Sequence, residues 1–332
     1  MSNINIRDLS FNISNYCLGS CVNCTLWQEK HWHLDNEMNL SQIRDNFLYS
    51  PVLDDLTTIH ITGGEPILSP KFLPICDMLK EYHEDVPINS PMSGLYPELM
   101  KRIFTKVVKL LPQYRVNIAV EGGTPAVHEK IRGKDSWWPM WKTVKYLKEL
   151  GVNFRFNFTA YPSNYKDMPK VKKLADMHGV GFYVNFGRYS RRFGHELDSM
   201  GPKVPQAYID EIERLITETG WLHARKLNEQ RWVLQKAFWE GKNVRFQCRG
   251  GMEHIDVNPY GMVYPCLMYP ENYNLGNLKT ETLDEIMYHH KTTELLNKVY
   301  GGECSKTCPF TCMLRIDNVY IDDEVVWNEN PL

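Results

Sequence analysis

Three cysteines, Cys17, Cys21 and Cys24, separated by three and then two residues, constrain this chain more than any other stretch. Thiols at that spacing converge on one small metal centre, and soft thiolates favour iron–sulfur clusters or zinc over magnesium or calcium. They supply only three ligands. Iron–sulfur cubes usually take four cysteines and structural zinc sites are closed by a fourth side chain, so the triplet needs a ligand from elsewhere, such as His31 or His33 on zinc, or leaves an iron open for chemistry.

The other cysteines extend this reading. Of nine in 332 residues, five lie between Cys248 and Cys312 and Cys76 stands alone on an apolar helical stripe that favours core packing. Disulfides belong to oxidising compartments. The opening residues lack a basic-then-apolar signal region and no apolar run is long enough to span a bilayer, so a cytoplasmic protein with two metal sites is expected. Lys plus Arg (38) nearly balance Asp plus Glu (40), which predicts neither a nucleic-acid nor a membrane partner.

The hydrophobic pattern alternates between strand and helix. Strands are expected over 5–14, 56–61, 87–90, 115–120, 153–160 and 181–186, and helices over 40–49 (capped by Ser41), 72–82, 97–111, around Met140 to Leu150, and 168–178. Six alternations predict an α/β fold, a parallel sheet curled into a partial (β/α)6 TIM-like barrel. The cysteine triplet, Gly63-Gly64-Glu65, Ser93-Gly94, Glu121-Gly122 and Gly187-Arg188 each follow a strand. In β/α barrels such positions gather at one face, where active sites form.

Residues 1–200 are therefore read as the barrel, 201–245 as bridging helices, and 246–332 as a small α+β cysteine-rich domain. In the last part an Asn258-Pro-Tyr-Gly261 turn folds two short strands so that Cys266 approaches Cys248, and Cys304, Cys308 and Cys312 add three thiols. Any four of the five can close an iron–sulfur cluster, with structural zinc as the alternative.

The pairing of Cys17-x3-Cys21-x2-Cys24 with Gly63-Gly64-Glu65-Pro66 resembles the radical S-adenosylmethionine (SAM) enzymes, and the Cys248, Gly261-x4-Cys266 and later cysteine pattern resembles their SPASM and twitch extensions. The resemblance implies that Cys17, Cys21 and Cys24 hold a 4Fe-4S cluster whose fourth iron is chelated by SAM. It further implies a second, auxiliary 4Fe-4S cluster on four of Cys248, Cys266, Cys304, Cys308 and Cys312; five cysteines suit the one-cluster twitch version. Gly63 and Gly64 would let backbone approach the SAM amino group, Glu65 would accept from it, and Ser93 would reach the ribose. Asn157 would line the SAM pocket and Glu121 would act in the barrel mouth. Relatives commonly carry an aromatic before the third cysteine, where this chain has Asn23, so an aromatic from elsewhere is expected to compensate.

Family membership implies reductive cleavage of SAM to a 5'-deoxyadenosyl radical, hydrogen abstraction from a substrate C–H bond, and an electron donor such as flavodoxin or ferredoxin. The radical's fate stays open between oxidation, cross-linking and epimerisation, with Cys304 or Cys308 as hydrogen donor in the last. Arg188, Arg191 and Arg192 are candidates for a substrate anion, with a solvated loop as the alternative. With the barrel starting near residue 5 and no room ahead of it for a peptide-recognition domain, a sugar, cyclitol or other small polar metabolite is the expected substrate. A ribosomally made peptide is the alternative, and a non-catalytic electron carrier a third reading.

Overall fold

The structure, a computed structural model, describes residues 4–28, 34–187, 204–267, 273–302 and 316–327. Six parallel strands succeed one another in chain order: β1 (Asp8–Asn12), β2 (Thr58–Thr62), β3 (Ile88–Met92), β4 (Arg115–Ala119), β5 (Asn153–Ala160) and β6 (Gly181–Phe186). Between them lie α1 (Leu40–Ile43), α2 (Phe72–Tyr82), α3 (Pro97–Leu110), α4 (Pro125–Arg132), α5 (Trp137–Glu149) and α6 (Met168–His178). This is the expected partial barrel.

The side-chain alternation shows how it packs. Phe154, Phe156 and Phe158 of β5 and Val116 and Ile118 of β4 are buried in the core beneath the helices, and Leu9, Phe11, Ile59 and Ile61 do the same on β1 and β2. Successive strand residues point to opposite faces. The other face is therefore polar: Ser10 and Asn12, His60, Asn117, Arg155 and Asn157, Tyr183 and Asn185. Closed TIM barrels fill that interior with branched aliphatic side chains. Here it is lined with hydrogen-bonding groups, such as Asn185 Nδ2 donating to Asn157 Oδ1 at 3.0 Å and Arg155 Nε to Asn117 Oδ1 at 2.7 Å.

Several local expectations need adjusting. The first helix is capped by Asn39, whose Oδ1 accepts from Gln42 N at 2.9 Å while Gln42 Oε1 accepts from Asn39 N at 3.0 Å; Ser41 lies inside it. That helix loosens into a π-helical turn over Arg44–Leu48. The short helix α4 has no counterpart in the sequence reading, because eight residues with only Val127 and Ile131 as large aliphatics give too little periodicity.

Beyond the barrel, α7 (Gln206–Glu218) and α8 (Lys226–Trp239) lead into β7 (Val244–Cys248), and the hairpin β8 (His254–Val257) and β9 (Met262–Tyr264) follows, then β10 (Gly276–Asn277). Strand β8 lies parallel to β1, with Asp8 opposite His254 and Phe11 opposite Val257, so a single sheet of order β10-β9-β8-β1-β2-β3-β4-β5-β6 runs from the hairpin through the barrel. Helices α9 (Leu283–Tyr288) and α10 (His290–Tyr300) follow. Strands β11 (Ile316–Ile321) and β12 (Glu324–Trp327) join β7 in a second sheet, in which Ile316 faces Cys248.

Candidate active site

All the motif loops leave the carboxyl ends of consecutive strands. The cysteine loop follows β1, Gly63 to Glu65 follows β2, Ser93 follows β3, Glu121 follows β4 and Tyr161 follows β5. The cysteine loop is held to the β2 loop through its backbone. Ser14 O accepts from Gly64 N and Tyr16 O from Glu65 N, both at 2.9 Å.

The two glycines are required by this contact. A Cβ on Gly63, whose φ is +141°, would stand 2.3 Å from Ser14 O, and one on Gly64 would stand 2.4 Å from Tyr16 O. Their missing side chains thus make room for the cysteine loop itself, a different steric reason from the approach of a ligand amine expected from the sequence. Gly19 sits inside the loop, where its own Cβ would meet Cys17 Sγ at 3.3 Å and Cys21 Sγ at 3.7 Å.

Glu65 is buried, and its Oε2 accepts from Ser93 N at 3.0 Å and from the Ser93 hydroxyl. Burial pushes this carboxyl up, while the Ser93 hydrogen bonds and the charge of Arg132 pull it back down. The Ser93 hydroxyl proton is committed to Glu65 rather than offered to a sugar, so its first role is to orient that carboxylate. The other oxygen, Glu65 Oε1, is buried with no hydrogen-bond partner in the structure.

Arg132 is the residue that sequence reasoning missed. It ends α4, its carbonyl accepts from Cys21 Sγ at 3.9 Å, and the neighbouring Ile131 O accepts from Val22 N at 2.9 Å. Burial works against its charge, but Cys21, Glu121, Glu65 and Cys17 around it outweigh that and raise its pKa. Its Nε is buried without a partner. Gly133, at φ +94°, lets the chain turn away from α4 against Ser20, where a Cβ would collide with the Ser20 hydroxyl.

Glu121 is buried, with Oε2 accepting from Thr159 N at 2.8 Å, and burial pushes its carboxyl up to about 7. His128 accepts from Glu121 N through Nδ1 at 3.2 Å, which assigns its proton to Nε2, and burial together with Arg132 depresses it to about 3. A neutral His128 thereby fixes the Glu121 backbone. Asn157 faces the polar interior, and its amide oxygen accepts from Asn185 Nδ2.

Beside Asn23, where relatives commonly carry an aromatic, lies Tyr161 from the loop after β5. Asn23 Nδ2 donates to Tyr161 Oη at 2.5 Å, and the Tyr161 ring occupies the space beside Gly187, where a Cβ would come within 2.2 Å of it. Trp137 packs edge-on against His128 and Trp141, covering the barrel edge, while Trp138 is exposed.

The residues present fit a cluster and an amino-acid-like ligand. Among the described residues no three of His, Cys, Asp and Glu converge on a single ion, and His31 and His33, the fourth ligands a zinc site would draw on, lie outside the described residues. A cube distributes its cysteines one per iron and suits a wider set of thiols. A free buried acceptor (Glu65 Oε1) and a free buried donor (Arg132 Nε) among the groups electrostatically coupled to these thiols match the ammonium and carboxylate of an amino acid. In the second cluster Cys248 and Cys266 are both buried, and Gly250 separates Cys248 Sγ from Pro265, its Cβ position being 3.3 Å from the former and 3.2 Å from Pro265 O. Cys304, Cys308, Cys312, Arg188, Arg191 and Arg192 lie outside the described residues.

Two family models match this chain. A model of the radical SAM superfamily matches residues 11–175, and a model of an iron–sulfur cluster-binding domain, SPASM, matches residues 248–312. The antilisterial bacteriocin subtilosin biosynthesis protein AlbA of Bacillus subtilis is 23% identical over 91% of this chain, which spans only 65% of that relative's length. The GTP 3',8-cyclase of Nautilia profundicola is 21% identical, over 89% of this chain and 90% of the relative. The crystal structure of Streptococcus suis SuiB bound to precursor peptide SuiA superposes with a TM-score of 0.61 at 15% identity, covering 93% of this chain and 71% of that one.

Proposed function

The chain belongs to the radical SAM superfamily and carries a SPASM iron–sulfur segment, and from that premise we propose that it is an enzyme that modifies a ribosomally made peptide by hydrogen abstraction. The supporting observation is the match to a bacteriocin biosynthesis protein over 91% of the chain. It favours the peptide over the small polar metabolite expected from the sequence. The structure of SuiB, solved with a precursor peptide bound, shares the fold of this chain. A nucleotide-sized substrate is the second reading, favoured by the match to a GTP cyclase over 89% of the chain.

In this reading Cys17, Cys21 and Cys24 hold a 4Fe-4S cluster with S-adenosylmethionine, which supplies a 5'-deoxyadenosyl radical for removing hydrogen from a C–H bond. The chain's own residues supply position and dryness. Glu65, held by Ser93, would accept from the ammonium of the methionine end through its unpartnered Oε1, and Arg132 would donate to the carboxylate. Gly63 and Gly64 keep the cysteine loop in register with them. Tyr161, tied to Asn23, offers a ring at the opposite side of the loop for a flat base. Glu121 sits at the carboxyl end of β4 with a proton affinity near neutrality, suited to exchanging a proton with a group in the barrel mouth.

Cys248 and Cys266, with two of Cys304, Cys308 and Cys312, hold the second 4Fe-4S cluster, and the remaining thiol is free to return hydrogen to a substrate radical. A flavodoxin or ferredoxin serves as electron donor. Anaerobically reconstituted protein should contain about eight irons and release 5'-deoxyadenosine from SAM only when reduced. Release should rise with a precursor peptide encoded beside the gene and stay at its basal rate with sugars and cyclitols. Stimulation by a nucleoside triphosphate alone would replace the peptide reading. Substituting Cys304 and Cys308 singly separates a ligand, which takes iron with it, from a hydrogen donor, which leaves iron intact and abolishes solvent deuterium return.

A further inference from the structure

At the amino ends of β4, β5 and β6, away from the cysteine loop, lies a cavity of about 290 Å³. Arg115 opens β4, Asn153 and Arg155 lie at the start of β5, and Gly181 and Tyr183 at the start of β6; Trp221 and Arg225 from the turn before α8 and Asn228 from its first turn close it. Three of its lining residues are arginines and none is acidic. Among the described residues none of the three pairs with a carboxylate within 4 Å, although the chain as a whole carries a net charge of −2.

Such a convergence is unfavourable without a counter-charge. Arg155 is half-buried, its guanidinium carbon lies 4.4 Å from the Tyr183 ring centroid and its Nε donates to Asn117 Oδ1, which fixes its orientation. Burial, then the charges of Arg115 and Arg225, pull its pKa down to about 10. Guanidinium groups held in this way present paired donors to planar or tetrahedral oxyanions. Along β5, Arg155 stands roughly 13 Å from Thr159, the partner of Glu121, at 3.3 Å per residue, so the cavity is distinct from the loops that hold the cysteines.

We propose that this cavity is a binding site for a small polyanion of phosphate or carboxylate chemistry, held by Arg115, Arg155 and Arg225 with Asn153 as a neutral donor. The site stands independently of the radical reaction, and its occupancy is measurable without substrate turnover. Its volume suits a ligand of the size of pyrophosphate or a tricarboxylate, smaller than a typical drug-sized pocket.

Calorimetric titration of the reconstituted protein with sodium pyrophosphate and with sodium citrate, at chloride-matched ionic strength, tests it. At least one anion should bind saturably, the tighter of the two identifying the oxyanion class, and Arg115→Gln with Arg225→Gln should weaken that binding at least tenfold while iron content is unchanged. In anion-free buffer the same double variant should melt above the parent, because the repulsion is relieved. Failure of both anions to bind above the chloride baseline, or equal affinity in parent and variant, overturns the proposal, as does a double variant that melts below its parent.

Discussion

Glu121 is a buried carboxylate. Because its folded pKa is raised to about 7 from an ordinary 4.5, the folded state binds the proton more tightly than the unfolded chain does. Its contribution to stability is present below the unfolded value and is lost as pH rises through the folded one. Over the window between, the loss amounts to up to roughly 3 kcal/mol. Glu121→Gln keeps an oxygen for Thr159 N and removes the titration, so melting curves of the variant should match the parent near pH 5 and lie several degrees above it at pH 8. Parallel curves at both pH values would show that Glu121 ionises freely. Gly64 makes a steric demand instead. With Tyr16 O only 2.4 Å from the position of a new Cβ, Gly64→Ala must push the cysteine loop outward. About half the iron should be lost on reconstitution, with the auxiliary cluster retained; full iron content would mean that the loop tolerates the shift.

At the scale of elements, α4 does more than its eight residues announce. Its last turn supplies Ile131 O and Arg132 O to the cysteine loop and the Arg132 guanidinium to the charged groups around it. Arg132→Met retains aliphatic bulk and the backbone contacts but removes the charge. The expected result is normal iron content with at least tenfold weaker SAM binding by equilibrium dialysis. Unchanged SAM affinity would assign Arg132 to packing alone. The sequence could not point to this residue, since the contact between Cys21 and Arg132 spans 111 positions and that between Asn23 and Tyr161 spans 138. Neither leaves a local pattern, whereas the cysteine triplet and the glycine pair each declare their chemistry within a few residues.

For the whole molecule, the nine-stranded sheet makes the C-terminal hairpin part of the barrel's edge. Ladder hydrogen bonds between β1 and β8 cover the strand that carries the chain into Cys17, and Ile255 and Val257 join the same core as Leu9 and Phe11. An exposed edge strand invites association. A chain ending at residue 243 should therefore aggregate or melt more than about 10 °C below the full chain, a few kcal/mol for a chain of this size. Equal melting of the two would show a barrel that is stable by itself. Among the described residues no helix is long and apolar enough to cross a membrane.

The sequence by itself determined the alternation of strands and helices, the loops that bear the motifs and the two sets of thiols. Each of these depends on spacing within a short window: period two for a strand, three to four for a helix, and a few residues for metal ligands. Tertiary structure alone decided that Gly63 and Gly64 accommodate the cysteine loop, that the Ser93 hydroxyl serves Glu65, that Arg132 and Tyr161 lie against the cysteine loop, and that three arginines share one cavity. Those outcomes depend on how the barrel curls, which brings residues far apart in sequence within hydrogen-bonding or Coulombic reach, and no local window carries that information.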